Sequence, residues 1–145
     1  MVETQNNKRG MLCILELIRT AGKVESKTKL QKMMFLAKED EKVNHGYFFE
    51  KYLYGPFSFD VSSDLNALER FGLIRIERTT VNLEDNEVER FSFSLTSEGL
   101  KFLEESKNIL EDVDVEGIHR IVGKWNAKTL NEILDYAYKK VNKLS

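Results

Sequence analysis

Two segments of alternating polarity, set between helical segments, restrict the fold of this chain more than any other feature. Leu73-Ile74-Arg75-Ile76-Glu77-Arg78 alternates apolar and polar residues, and Val88-Glu89-Arg90-Phe91-Ser92-Phe93-Ser94-Leu95 does so in part. Alternation of period two places side chains on opposite faces of a half-buried strand. The polar, charged run 82–86 between them reads as a turn. A helical stripe of Val61, Leu65 and Leu68 precedes the first strand and ends at Gly72. Thr96 follows the second strand and is placed to cap a helix over residues 97–111, with Leu100, Leu103 and Leu110 inward. Helix, strand, charged turn, strand, helix is the order of a winged-helix-like core.

The rest of the chain reads mainly as helix. Residues 1–8 are polar and predict a flexible tail. Met11, Ile14, Leu15 and Ile18 predict a helix over 9–21, stopped by Gly22. Ser26 is a good cap for a second helix over 27–39, whose inner stripe is Leu30, Met33, Met34 and Ala37 and whose lysine-rich face is expected in solvent. Residues 47–54 are short and aromatic, which favours an extended segment. Gly55-Pro56 ends it, because Pro56 lacks an amide hydrogen and pushes Gly55 towards extended angles; Ser58 or Asp60 then caps the third helix. Asp114 is placed to cap a short helix carrying Ile118, Ile121, Val122 and Trp125. Asn126 is placed to cap the last helix, with Leu130, Ile133, Leu134, Ala137, Tyr138 and Val141 on one face. The expected class is α+β, mostly helical: a winged-helix-like core over 9–111 with a small antiparallel sheet, and a C-terminal helical pair over 112–145 packed on it as one domain.

Composition removes several function classes. A chain of 145 residues can bury a core without covalent staples. Its one cysteine, Cys13, excludes an internal disulfide and a multi-thiolate zinc site. No stretch approaches the roughly 20 apolar residues of a membrane span, and no signal peptide is evident, so a cytoplasmic protein is expected. His45 and His119 are isolated and expected at the surface; no metal, cofactor or glycine-rich phosphate cradle is expected. Paired carboxylates such as Glu104-Glu105 lie where nothing would raise their pKa for acid catalysis. An enzyme is not expected, and no catalytic residue is assigned.

Two surfaces compete for a binding role. Aromatics of the 47–59 run, with Tyr52, Tyr54 and Phe57 foremost, suit contact with a protein partner, although alternating aromatics also build cores. Asp64 and Glu69 on the third helix, and Glu84, Asp85 and Glu87 at the wing, suit electrostatic steering of a basic partner. The same acids oppose DNA binding, because they occupy the elements that a winged fold presses against phosphate. A DNA-binding regulator would have to use Lys27, Lys29, Lys32, Lys139 and Lys140 instead.

Lys29-Leu30-Gln31-Lys32-Met33-Met34-Phe35-Leu36 together with Tyr52-Leu53-Tyr54-Gly55-Pro56-Phe57-Ser58 resembles the Panacea (SocA-like) antitoxin domain family and its YwgA-type relatives, as does Leu130-Asn131-Glu132-Ile133-Leu134-Asp135-Tyr136-Ala137-Tyr138. The resemblance covers most of residues 10–142. It implies a non-enzymatic, mostly helical module that binds and neutralises a partner protein, such as a toxin encoded by an adjacent gene, or hands a partner to a protease. The expected partner is therefore another protein, with DNA the second choice, no membrane, and the C-terminal stripe available to a homodimer as readily as to a core.

Overall fold

The computed structural model describes residues 2–52 and 55–144, with side chains over 8–52 and 55–143. The described residues form α1 (Val2–Ala21), α2 (Lys27–Glu41), β1 (Glu50–Tyr52), β2 (Gly55–Phe57), α3 (Phe59–Arg70), β3 (Ile74–Leu83), β4 (Asn86–Leu95), α4 (Ser97–Glu105), a 3-10 turn Lys107–Ile109, α5 (Asp112–Trp125) and α6 (Leu130–Leu144). The fold is mostly helical α+β. Its strands form two separate antiparallel pairs, β1–β2 and β3–β4, where a single small sheet was expected.

Helix α2 is the centre of the molecule. Ser26 caps it as expected, its Oγ accepting from the Lys29 amide at 3.1 Å. Every residue from Leu30 to Ala37 is buried, not only the predicted stripe. The cause is tertiary: α5, α6 and β2 all pack on α2. A helix enclosed on all sides cannot keep a solvated lysine face. Helix α1 packs on α3, α4, α5 and β4, and its residues Leu12, Ile14, Leu15, Leu17 and Ile18 are fully buried. It starts at Val2, so the predicted tail 1–8 is mostly drawn into the helix, with no proline there to stop it. Ile118, Ile121, Ile133 and Ala137 of α5 and α6 join the same core as α1 and α2.

The winged order holds, with corrected detail. β3 and β4 pair from Ile74↔Leu95 to Leu83↔Asn86, leaving a two-residue turn, Glu84-Asp85, shorter than predicted. Glu84 has φ +50 in that turn. Ile74, Ile76 and Phe93 are buried at the base, whereas residues 82–90 are all exposed. The hairpin is therefore an arm anchored at one end, where Val24 also bridges Phe93 through hydrogen bonds of 3.0 and 2.8 Å.

Several boundaries move for local reasons. Thr96 caps α4 through Gly99 N at 2.9 Å, but α4 ends at Glu105, not residue 111. Leu103 and Leu110 are buried as expected, but Leu100, also expected inward, is 42% exposed, and Gly99 faces the core. Asp114 caps nothing; it is buried in the first turn of α5, and its Oδ1 accepts from Asn44 N at 3.1 Å. Asn126 closes α5 instead of opening α6. Thr129 and Glu132 form a reciprocal capping box for α6, with bonds of 3.1 and 3.2 Å. Ile133, Ala137 and Val141 of α6 are buried, while Leu130 and Tyr138 remain exposed.

Candidate interaction face

The segment 29–36 and the described residues of 52–58, with fifteen residues of chain between the two segments, meet face to face. Gly55 takes φ +97, not the extended angle expected before a proline, and this turns the chain from β1 back into β2. β1 and β2 pair Glu50↔Phe57, Lys51↔Pro56 and Tyr52↔Gly55. Ser58, not Asp60, then caps α3, its Oγ accepting from Val61 N at 3.2 Å. Two α2 side chains hold this hairpin from beneath. The Gln31 amide bonds both backbone groups of Ser58, donating from Nε2 to its carbonyl and accepting at Oε1 from its N–H, each at 2.9 Å. Lys32 Nζ donates to the Pro56 carbonyl at 2.8 Å. Burial lowers the Lys32 pKa to about 8, since an ammonium loses its hydration there.

The mount presents three rings. Tyr52, Phe57 and Phe59 touch one another edge-on or tilted, with centroids 5.0 to 6.0 Å apart. Tyr52 is 51% and Phe59 56% exposed, and Phe57 is half-buried. Phe59 belongs to the 47–59 run but was not among its foremost rings, although a signal was present: it lies two positions before Val61, roughly 200° around the helix from the buried stripe. Tyr54 lies outside the described residues. The other aromatics divide between core and surface. Tyr47 is buried, and its hydroxyl donates to Asp64 Oδ2 at 2.6 Å. Phe49 packs edge-on against Phe35 at 5.5 Å. Phe48 is 69% exposed.

Of the acids assigned to steering, Asp64 is taken out of solvent. It is buried against Tyr47, and burial pushes its carboxyl pKa up despite that hydrogen bond. Its position beside Leu65 in the α3 stripe accounts for this. Glu69 is engaged by both terminal nitrogens of Arg78 at 3.0 Å. Glu84, Asp85 and Glu87 are exposed at the tip of the arm.

The lysines assigned to DNA are dispersed. Lys32 is buried under the hairpin, which removes it from any phosphate-facing surface. Lys140 pairs with Asp40 at 2.8 Å and Lys139 with Asp135 at 3.1 Å, both on or beside α6. Lys29 donates to the Asn126 carbonyl at 2.6 Å. Lys27 lies 4.5 Å over the Phe91 ring at the base of the arm. A small cleft of about 170 Å³ opens between α2 and the hairpin, floored by Lys32 and walled by Tyr52 and Phe57. Lys27 and Thr28 at its rim also border a shallower groove of about 550 Å³, where Lys29, Arg90 and Lys128 stand with Glu25 and Glu89.

His45, expected at the surface, is buried, with Nε2 2.8 Å from the Met34 carbonyl and Nδ1 accepting from Tyr47 N at 3.1 Å. His119 is partly exposed, its Nε2 2.7 Å from Glu16 Oε2. Burial pushes the Glu16 pKa up, but hydrogen bonds from Arg19 and His119 outweigh it and the net shift is downward. Cys13 is buried, which raises its thiol to about 12. Among the described residues, no three His, Cys, Asp or Glu side chains gather closely enough to hold a metal ion, and no helix is long and apolar enough to cross a membrane.

Set beside known proteins, the chain matches no family model and no curated protein.

Proposed function

We propose that this chain is a non-enzymatic, protein-binding regulatory module that grips a partner polypeptide with the Tyr52–Phe57–Phe59 cluster. The supporting observation is that these rings are exposed and packed on one another. Large aromatics that are already ordered lose little conformational freedom on binding, and they are the side chains that dominate interface energetics. Here two of them are more than half exposed, Tyr52 on the hairpin and Phe59 at the start of α3, beside the contacts of Gln31 with Ser58 and Lys32 with Pro56 that fasten this region to the central helix. The resemblance of the two meeting motifs to the Panacea antitoxin domain makes the product of an adjacent gene, a toxin, the partner to try first. The alternative, a winged-helix DNA-binding regulator, has less support: its wing tip is acidic and its lysines are split among separate surfaces.

The test is co-expression with the adjacent gene product and affinity purification. The wild-type chain is expected to retain that product and relieve any growth defect it causes. The double variant Y52A/F59A removes only exposed rings, so it is expected to keep its melting temperature within a few degrees and lose the product. Equal retention by that variant, or no retention by the wild type, would overturn the reading.

A further inference from the structure

Lys32 is 2% exposed, and an ammonium group placed there needs compensation that the chain itself supplies only in part. Its three N–H groups meet one acceptor among the described residues, the Pro56 carbonyl. Burial is the cause of its lowered pKa, and no described carboxylate acts to offset it. Among the described residues the cleft beside it is lined by no acid; Lys27 adds a second cation at the rim, on the first turn of α2, where the helix dipole also favours negative charge. The rings of Tyr52 and Phe57 complete a lining that also includes Thr28, Gln31 and Gly55.

We propose that this cleft receives an acidic side chain of the partner polypeptide, its carboxylate seated on the Lys32 ammonium and its stem between Tyr52 and Phe57. This rests on the protein-binding reading above and names what the partner must present. Volume supports a side chain over a free ligand. About 170 Å³ is well below the several hundred Å³ of pockets that enclose whole cofactors or drug-sized molecules. Phosphate is disfavoured, because among the described residues no guanidinium lines the cleft and the Pro56 carbonyl oxygen lies beside the buried Lys32 ammonium. A chain terminus is disfavoured too, since it would carry backbone amides into walls made mostly of hydrocarbon. Carboxylate entry supplies the missing counter-charge in a site from which water is largely excluded, where such a pair is stronger than at the surface.

The intact chain is titrated with three capped amino acids, followed by NMR at the Lys32 ε-methylene and the Tyr52 ring. N-acetyl-glutamate N-methylamide carries only the side-chain acid. N-acetyl-glutamine N-methylamide is its neutral counterpart, and N-acetyl-glutamine carries only a terminal carboxylate. The first is expected to bind saturably in the millimolar range and shift both signals, and the other two to bind about tenfold more weakly or not at all. Lys32→Met, which removes a buried charge while keeping the stem, is expected to weaken the first probe to the level of the neutral one. No saturable shift, equal binding of the neutral probe, equal binding by the variant, or tighter binding of inorganic phosphate would each overturn the assignment. The comparison of acid with amide on the wild-type chain decides the matter even if the variant does not fold. A failed titration with intact co-purification removes the pocket and leaves the aromatic interface; the converse pair of results does the reverse.

Discussion

His45 and Gln31 show how a polar side chain becomes structural when its hydrogen bonds are made inside. His45 is held as the neutral ring, Nε2–H towards the Met34 carbonyl and Nδ1 accepting from Tyr47 N. Burial lowers its pKa to about 4, with nearby Lys38 adding to the effect and Asp114 and the Met34 bond opposing it. In the unfolded chain the ring takes its proton near pH 6.5. Stability from this site is therefore complete above pH 6.5 and drains away as pH falls towards 4, by about 3 kcal/mol in all. Urea unfolding at pH 7 and pH 4.5 is expected to show the wild type losing about 2 kcal/mol more than His45→Gln over that interval; equal losses would refute the assignment. Gln31 satisfies both backbone groups of Ser58. Gln31→Leu leaves them buried and unpaired and is expected to cost about 2–4 kcal/mol, read as a lower urea midpoint at unchanged m-value. A loss under about 1 kcal/mol would show that water reaches Ser58. Neither role was legible from the residues alone. Gln31 beside Lys32, and His45 between Asn44 and Gly46, look the same in sequence whether the side chain meets water or another element.

Helix starts were legible where a local cap forms, and were misread at Asp114 and Asn126, which the packing uses otherwise. Ser26, Ser58 and Thr96 each accept from the amide three residues on, as their positions before apolar stripes suggested. The hairpin β3–β4 was legible from its alternation, since a strand half buried at its base must read that way. The inward face of α4 was not, and Gly99 is the reason. A Cβ on Gly99 would stand 1.9 Å from the Leu73 carbonyl oxygen, so α4 approaches the chain just before β3 with its backbone and turns Leu100 outward. No hydrophobic periodicity encodes that approach. Gly99→Ala forces apart two backbones that cannot yield like a side chain, and is expected to cost about 3 kcal/mol or more. Gly123 in α5 is the control, for nothing lies within 4 Å of its would-be Cβ. Gly123→Ala is expected to stabilise by up to about 1 kcal/mol through helix propensity alone. Thermal melts of the two variants should move in opposite directions. A shift in the same direction would mean that α4 can slide away from Leu73 at little cost.

At the scale of the whole molecule, the sequence named the segments of the candidate face but not their meeting. Lys32 looked solvated because α5 and α6, which help enclose α2, lie about a hundred residues away in sequence, and Asp64 looked available because Tyr47 is brought to it by a loop. The assembled chain separates its charges. Lys27 and Lys32 border the aromatic cluster, whereas Glu84, Asp85 and Glu87 stand at the free end of the arm and form no ion pair among the described residues. Exposed charges on a projecting element act mainly at a distance, on the rate of encounter, since contact energy between solvated charges is small. If the arm guides a partner with a basic surface, the triple variant E84K/D85K/E87K slows association about tenfold at low salt and leaves dissociation almost unchanged. Raising the salt must close that gap, because screening shortens to about 3 Å at 1 M. Surface plasmon resonance across a salt series, with the adjacent gene product immobilised, separates the two rates. An unchanged association rate would detach the arm from binding, and a faster one would show that the partner's approaching surface is acidic, like the side chain proposed for the Lys32 cleft.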